Sequence, residues 1–539
     1  MFHFLKKQLR TIQLMNQNSK NDREEKTESQ SDLSRDLKQN LDYVKEALGI
    51  SYDVTLREFN FGNQGQIKGA LVFIKGITDK KTINESIIKP LMYESQLLNK
   101  QETATYNIDT IKTTMLSVND VQVVTTINEA VEGCLSGDTL LLINGLKEAL
   151  LISTAGGEVR GLEEPKTETV IRGSHEGFTE SLLTNTTLLR RRIKNPNLTF
   201  ETMIIGKQTK TTVCVAYIKG ISNPQLIEEI HRRLKRINTD AILESGYIEQ
   251  FIEDAPFSIF STVGNNEKPD KVAGKLLEGR AAILVNGTPF VLTVPMLFLE
   301  SFQTSEDYYS RPYYVSLVRL LRVIAFTIAT LAPAIYVALT TFHQELIPTP
   351  LLFTMAAAEE GVPFPSVVEA FVMGLIFEIL REAGIRLPRA VGQAISIVGA
   401  LVLGETAVQA GLVGEPILIV VSLTAVSSFV IPSQTDSGAI IRLIMVLLAG
   451  TLGIYGIMLG LLGILIHLSS LRSFGTPYLS PFAPLSVKDL KDTLVRVPLW
   501  AMLTRPRLIG WNDPQREEFR LKPTEPTKDS ENSTSTETK

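Results

Sequence analysis

Three runs without a charged residue constrain this chain more than any other feature of its sequence. They cover Val323–Gln344, Pro416–Thr435 and Leu443–Leu471. As a helix, each run is long enough to cross a hydrocarbon layer about 30 Å thick. The sequence therefore predicts that the second half of the chain lies in a membrane.

Charged residues accompany these runs. A less hydrophobic stretch, Pro365–Pro388, separates the first two runs and contains several of them. Ionisable groups at membrane depth are costly, so they normally face a protein interior or a water-filled path. The candidate pore and gating residues are therefore Glu369, Glu378, Arg381, Glu382 and Glu405.

These candidates allow a structural and a functional interpretation. Glu378 and Arg381 are three residues apart, so they can form an ion pair on one helix. Glu369 and Glu405 have no adjacent basic residue and are better placed to contact a cation or a proton. In a symmetric assembly, one glutamate per subunit becomes a ring of carboxylates, which can select cations.

The last charge-free run is rich in glycine. Spacings of three or four residues predict that these glycines share one helical face, where small residues let helices approach closely in lipid. Packing within one subunit, packing between subunits and backbone lining a pore are all compatible with this pattern. The glycines are Gly450, Gly453, Gly456, Gly460 and Gly463.

The first half of the chain has a different character. A length of 539 residues predicts at least one soluble unit besides the membrane unit. The net charge of −4 does not favour nucleic acid as a partner. Cys134 and Cys214 lie far apart and predict small buried side chains of a reducing compartment rather than a disulfide. The N-terminus lacks the pattern of a signal peptide, so we expect this half in the cytoplasm.

The segment before the membrane region contains a diverged internal repeat. Phe73–Thr78 is echoed by Tyr217–Ser222, and Gly137–Gly145 by Gly279–Gly287. The lysine of the first motif and the asparagine of the second are 69 residues apart in one copy and 67 in the other. Both second motifs end in Asn-Gly, a strong hairpin signal. Two matched motifs at similar separation predict two related subdomains in tandem.

The predicted fold class is an α/β cytosolic region of two related tandem subdomains, followed by an α-helical polytopic membrane domain. Ala281–Ser301 is apolar but contains prolines and Asn-Gly, so we interpret it as the last hairpin of the second subdomain. The predicted divisions are a flexible tail (1–40), subdomain 1 (41–165), a connector (166–200), subdomain 2 (201–300), the membrane domain (301–510) and a second flexible tail (511–539).

The distribution of charge predicts the orientation of the membrane domain. The loop 344–363 has glutamates but no Lys or Arg, and the loop 381–389 is basic, which places the N-terminus inside. The basic segment 472–507 also favours the inside, whereas five spans would place it outside. Either one span is re-entrant or Ala281–Ser301 crosses as well. The predicted spans are 320–342, 366–384, 390–411, 415–432 and 440–469.

No catalytic signature is present in the sequence. There is no P-loop, no G-x-S-x-G elbow and no cluster of Cys and His with the spacing of a metal site. We therefore expect neither an enzyme nor a cofactor or metal.

Several motifs resemble the GerA family, the A subunits of spore germinant receptors. The resemblance covers about residues 41–510, and Glu405 departs from it because a neutral residue is commoner there. The motifs are Glu306–Tyr309, His343–Pro348, Glu360–Pro365, Glu378–Pro388, Gln393–Ala400, Phe429–Pro432 and Pro481–Pro484, with Phe302-Gln303 and the connector Arg172–Phe178.

The resemblance implies a multi-pass protein in the spore inner membrane, in contact with membrane lipid. It implies a transporter-like B subunit and a lipoprotein C subunit as partners. It also implies a homo-oligomeric ring that forms a nutrient-gated ion channel. A non-conducting scaffold and a secondary transporter are the alternatives. The transporter is disfavoured because its repeat is expected within the membrane region.

Overall fold

The computed structural model describes residues 32–49, 51–62, 65–93, 107–118, 120–156, 164–165, 167–386, 404–510 and 515–516. Its longer α-helices are α1 (Leu37–Leu48), α2 (Ile127–Ser136), α3 (Leu182–Arg192), α4 (Pro224–Arg236), α5 (Ser245–Ile252), α6 (Pro269–Leu277), α7 (Pro312–Thr341), α8 (Thr349–Glu359), α9 (Ser366–Arg386), α10 (Gly404–Gln409), α11 (Glu415–Ser428) and α12 (Thr435–Ser470). Its strands are β1 (Val54–Phe61), β2 (Ile67–Ile74), β3 (Val121–Val124), β4 (Thr139–Ile143), β5 (Ala149–Ile152), β6 (Leu198–Ile205), β7 (Thr211–Ile218), β8 (Gly264–Asn266), β9 (Ala281–Val285), β10 (Val291–Val294), β11 (Arg472–Ser473) and β12 (Thr476–Pro477).

The first soluble unit is a five-stranded antiparallel sheet between two helical layers. Its strand order is β1-β2-β4-β5-β3. Helices α1 and α2 pack on one face, and short helical segments within 80–92 and 108–115 pack on the other. β4 and β5 are buried along their whole length because both faces of the sheet are covered.

The second soluble unit repeats this arrangement. Its strand order, β6-β7-β9-β10-β8, places the strands in the same relative positions. Helices α3 and α6 cover one face and α4 and α5 the other. Each unit begins with a helix and a hairpin, continues with helical segments and a short strand, and ends with a helix and a second hairpin.

The repeat extends to individual hydrogen bonds. The side chain of Asn144 accepts a hydrogen bond from the N–H of Leu37 at 3.2 Å, and Asn286 accepts one from Leu182 at the same distance. Each Asn-Gly pair thus joins the last hairpin of its unit to the first turn of the unit's first helix. An unpaired N–H in that turn needs such an acceptor.

Two boundaries differ from the predicted ones. The buried side chains of Leu33 and Leu37, which lie within the predicted tail 1–40, hold this part of the chain against the first sheet. Helix α3 lies in the predicted connector 166–200, yet Leu182 and Leu189 pack into the core of the second unit. The connector therefore supplies the first helix of that unit.

The segment Ala281–Ser301 contains the predicted hairpin. β9 and β10 pair antiparallel, with Leu292 opposite Ile283, and both strands are buried. Residues 298–308 follow as two short 3-10 helices, and α7 begins at Pro312. Cys134 and Cys214 are buried and free, as the sequence predicted.

The chain returns to the second unit after the last helix. β11 and β12 form a small hairpin. The hydroxyl of Ser473 in β11 donates a hydrogen bond to the carbonyl of Thr262 in the second unit, at 2.6 Å. Farther on, Arg505 donates to the carbonyl of Leu277 at 2.9 Å. Residues 471–510 therefore tie the helical region to the second soluble unit.

Candidate functional site in the helical region

Two helices in the described part of the chain are long and apolar enough to cross a membrane. They are Pro312–Thr341 and the continuous helical stretch Pro432–Ser470. Helix α11 is also apolar but has only 14 residues. α9 corresponds to the predicted span 366–384, while most of 390–411 lies outside the described residues.

Helix α12 is not straight. Gly453 has φ 63° and ψ −142°, outside the helical region. A straight helix of 36 residues would be about 54 Å long. Instead, residues near both ends contact the second soluble unit: Gln434 donates to the hydroxyl of Ser301 at 2.7 Å, and His467 lies 2.9 Å from the hydroxyl of Ser258.

These two contacts fall within one patch. The ring of Phe260 lies 5.7 Å from that of Phe298 and 6.2 Å from that of His467. The two halves of α12 therefore run in opposite directions, each about 26 Å long. This differs from the single span 440–469 predicted from the sequence, because glycine tolerates the positive φ that reverses the chain.

The glycine stripe is divided by this reversal. A Cβ built on Gly450 would lie 2.7 Å from Val367 of α9, so this glycine lets α9 and α12 approach closely. A Cβ on Gly453 would lie 3.0 Å from Phe342, at the end of α7. The turn of α12 therefore lies at the level where α7 ends.

The remaining glycines lie in the second half of α12. A Cβ on Gly460 would lie 2.7 Å from the sulfur of Met445, and one on Gly456 would collide with the carbonyl of Leu448. Both glycines thus let the second half pack on the first. A Cβ on Gly463 would meet nothing within 4 Å. The five glycines therefore do not share one packing face, contrary to the expectation from their spacing.

Glu378 is held by two arginines. It accepts from Arg381, one turn later in α9, at 2.7 Å and from Arg442 of α12. The side chain of Arg442 is 8% exposed, and its guanidinium lies 5.8 Å from the ring centre of Phe377. Arg442 was missing from the predicted site, although it is the last charged residue before the run Leu443–Leu471.

Glu369 occupies a different environment. It is 3% exposed, and its Oε2 accepts from the N–H of Gly414 at 2.9 Å. Glu359 is close by and accepts from the hydroxyl of Tyr336 at 2.9 Å. No basic side chain forms an ion pair with Glu369 within the described ranges. The site thus holds a buried carboxylate with a backbone donor and no paired cation.

Glu382 and Glu405 are exposed. Glu382 accepts from Arg386 at 2.8 Å, and Glu405 accepts from Gln409 at 3.2 Å. The structure therefore brings Glu378 and Arg381 together with Arg442, places Glu369 separately in the interior, and leaves Glu382 and Glu405 on the surface of the subunit. Among the residues described, no group of three His, Cys, Asp or Glu side chains could hold a metal ion.

A second ionic cluster, which the sequence analysis missed, lies where α7 meets the soluble units. Arg319 is 1% exposed and donates to Asp307 at 2.9 Å and to Asp492 at 2.9 Å. The hydroxyl of Tyr308 also donates to Asp492, at 2.8 Å. Burial and the negative charge of Asp492 raise the pKa of Tyr308 well above its ordinary value, so Tyr308 stays protonated. Asp492 is 173 residues from Arg319, so no local pattern could reveal the pair.

The comparisons with known proteins cover nearly the whole chain. A sequence model of the Bacillus/Clostridium GerA spore germination protein matches residues 42–508. Spore germination protein KA of Bacillus subtilis (strain 168) is 47% identical over 487 residues, which are 90% of this chain and 89% of that protein. Spore germination protein GerLA of Bacillus cereus is 40% identical over 472 residues, 87% of this chain and 95% of that protein.

The solved structures that match include the crystal structure of the N-terminal domain of the A subunit of the Bacillus megaterium spore germinant receptor GerK3. The match has 38% identity and a TM-score of 0.40, and it covers 50% of this chain and 99% of the other. With the family match extending through the soluble units, the membrane-length helices and most of the C-terminal segment, this chain belongs to the GerA family of spore germination proteins.

Proposed function

We propose that this chain is the A subunit of a spore germinant receptor, and that it oligomerises into an ion channel that opens in response to nutrients. It would act in the spore inner membrane with a transporter-like B subunit and a lipoprotein C subunit. Its two soluble units would lie in the cytoplasm. Membership of the GerA family and the similarity to spore germination proteins KA and GerLA support the role in germination.

The course of the helices supports a multi-pass arrangement. Helices α7, α9 and α11 and the two halves of α12 account for five passages, and the predicted span 390–411 adds a sixth. An even number returns the basic segment 472–507 to the side of the soluble units. This agrees with the bias of Lys and Arg toward the cytoplasm. Under this proposal, the reversal at Gly453 supplies the additional passage that five straight spans lack.

The observation that carries the channel proposal is the environment of Glu369. A buried carboxylate among apolar helices is costly unless a cation, a proton or water reaches it. Its Oε2 has one backbone donor, Gly414, and Glu359 adds a second negative charge nearby. In a ring of subunits, these carboxylates would attract monovalent cations. Glu378 is already bound by two arginines, so its proposed role is to hold α9 against α12.

The proposal is tested by cation flux from liposomes that contain the full chain assembled with its partner subunits. We expect nutrient-dependent flux that Glu369→Gln reduces at least tenfold or makes less selective. Glu405→Gln is the matched control, because Glu405 is exposed and should leave the flux unchanged. If Glu369→Gln and Glu405→Gln both give the same flux as the wild type, Glu369 is not part of the ion pathway. A correctly assembled complex that gives no flux would favour the scaffold alternative.

A further inference from the structure

An exposed aromatic side chain lies beside the end of α12. Phe257 belongs to the loop between α5 and β8, and it is 100% exposed. Two other residues of this loop, Ala255 and Ile259, pack against the apolar cluster of the helical region. The loop is therefore held in place, while the ring of Phe257 points away from every packed surface of the chain. A single exposed apolar side chain is common on soluble proteins, so its meaning depends on where it lies.

The loop lies where the charge-free part of α12 ends. The hydroxyl of Ser258, the residue after Phe257, is 2.9 Å from Nε2 of His467. His467 is in the last turn of α12. Arg472 follows shortly after and is the first Asp, Glu, Lys or Arg beyond the run Leu443–Leu471. Phe257 is thus next to the boundary between apolar and charged sequence.

A row of aromatic rings connects the loop to the same kind of boundary on α7. The ring of Phe298 lies 5.7 Å from that of Phe260, in this loop, and 5.4 Å from that of Phe302. The ring of Phe302 lies 5.6 Å from that of Phe326 in α7. Phe326 is one helical turn after Arg322, the last charged residue before the first charge-free run. Aromatic rings beside arginines are typical of the interface between hydrocarbon and water.

The neighbouring surface of α12 is also apolar and exposed. Leu465 and Ile466, directly before His467, are 55% and 62% exposed. Arg472 is exposed beyond the end of the helix. Such a surface suits a bilayer, because its aliphatic side chains can face acyl chains while the arginine reaches the phosphate groups. Lipid that covers the end of α12 would therefore lie within reach of Phe257.

We propose that residues 254–260 insert Phe257 into the boundary between the headgroups and the acyl chains of phospholipid, on the side of the membrane that faces the soluble units. Aromatic side chains are enriched in this zone because their rings are apolar yet tolerate its partial hydration. The inference rests on the membrane placement of α12 under the proposed function. It does not depend on ion conduction or on Glu369.

The insertion would hold the second soluble unit against the bilayer. Asp254 pairs with Arg233 of α4 at 2.6 Å and accepts from the N–H of Phe474 in the hairpin after α12. One side of the loop is therefore fixed to the soluble unit, and Ser258 fixes the other side to α12. A ring of Phe257 buried in lipid adds a third attachment, which keeps the unit at a constant distance from the membrane surface.

The test places a single tryptophan in the full chain and measures its quenching by brominated phosphatidylcholine. Trp500 and Trp511 are first replaced by phenylalanine, and the protein is placed in nanodiscs of phosphatidylcholine and phosphatidylglycerol. Phe257→Trp should be quenched at least twofold by lipid that carries bromine near the headgroup end of its acyl chains. Lipid brominated near the methyl ends should quench it less, because the loop lies at the membrane boundary.

A tryptophan in α12 separates failure of this inference from failure of the membrane placement. Leu462→Trp, on an exposed position of the second half of α12, should be quenched most by bromine deep in the bilayer. Quenching at position 462 without quenching at position 257 would overturn the inference and leave the membrane placement intact. Absence of quenching at both positions would contradict the membrane placement and the inference with it.

A tryptophan in α5 is the matched negative control. Tyr247 is an exposed aromatic residue of the same soluble unit. Glu244, at the start of α5, accepts from the hydroxyl of Thr288 in the turn between β9 and β10 at 2.8 Å, and β10 leads from this turn toward α7. The start of α5 is therefore at the end of the unit away from the helices. Tyr247→Trp should not be quenched, and quenching equal to that of Phe257→Trp would overturn the inference.

Photocrosslinking identifies what covers the ring. p-Benzoylphenylalanine at position 257 should form adducts with phospholipid that mass spectrometry detects. Because Phe257 is fully exposed, this replacement removes no packing contact within the chain. A crosslink to a second copy of the chain, without lipid adducts, would show that protein covers this surface and would overturn the proposal.

Discussion

Arg190 of the second soluble unit donates two hydrogen bonds to Asp53 of the first, at 2.8 and 3.0 Å, and both side chains are 2% exposed. Ser51 donates to the same carboxylate, and the guanidinium lies 5.0 Å from the ring centre of Phe200. Two related units, each with its own sheet and core, thus share one buried ion pair. The pair fixes their relative orientation, because a planar guanidinium bound at two positions to a carboxylate permits little rotation.

Removing one partner of this pair should be strongly destabilising. Asp53→Asn leaves the guanidinium of Arg190 buried without a counter-charge, which costs about 3 to 5 kcal/mol. Chemical unfolding of the full chain, followed by circular dichroism, measures the loss. The double variant Asp53→Asn/Arg190→Met should recover part of it. Equal stability of Asp53→Asn and wild type would show that the pair does not hold the units together.

The reversal of α12 predicts the sidedness of single cysteines. In a background with Cys134 and Cys214 replaced by serine, Ser433→Cys and Ser470→Cys should react with an impermeant thiol reagent from the same side of the membrane. Thr451→Cys, beside the turn, should react from the opposite side. A straight helix would instead place Ser433 and Ser470 on opposite sides, and that labelling pattern would refute the reversal.

Because Glu378 contacts Arg442, we expect the protein to lose stability when Glu378 is neutralised. Glu378→Gln leaves the arginine of α12 without its carboxylate, at a cost on the order of 3 kcal/mol. Thermal aggregation of the detergent-solubilised protein measures the effect as a lower midpoint. Glu382→Gln is the matched control, because the exposed pair with Arg386 should contribute at most about 1 kcal/mol. Similar midpoints for the two variants would contradict a structural role for Glu378.

Because folding lowers the pKa of Lys275, the stability of the protein should depend on pH. The pKa of Lys275 falls from 10.5 to about 8 on folding, so the unfolded chain binds more protons between these values. Stability should therefore rise with pH across this window. At pH 7, Lys275→Met should be more stable than the wild type, by about 3 kcal/mol at most. Thermal unfolding at pH 7 and pH 9.5 should show the difference shrinking, and a constant difference would mean that Lys275 is not desolvated.

Sequence patterns predicted the parts of the fold that depend on local chemistry. The echo of the motifs ending at Gly145 and Gly287 corresponds to the last hairpin of each soluble unit. The apolar runs correspond to α7, α11 and α12. In each case the signal lies within about 30 neighbouring residues, where hydrophobic periodicity and turn chemistry act.

Features that depend on distant contacts could not be predicted in the same way. Nothing near Asp53 indicates that its partner is Arg190, 137 residues later. Arg442 contacts Glu378 across 64 residues. The spacing of the glycines in the last run is compatible with a straight helix that packs through its glycine face, and equally with a helix that reverses at one of these glycines. Only the backbone at Gly453 decides between them, because glycine readily adopts the positive φ of a turn yet is also tolerated inside a helix, at a cost of about 0.5–1 kcal/mol relative to alanine.

We propose that the carboxylate of Glu369 belongs to an ion pathway. The most direct test is the reversal potential of nutrient-activated currents in planar bilayers under a KCl gradient, for wild type and for Glu369→Gln. A loss of cation preference in the variant, with assembly and nutrient response retained, is the predicted result. An unchanged reversal potential in a correctly assembled Glu369→Gln complex would contradict it.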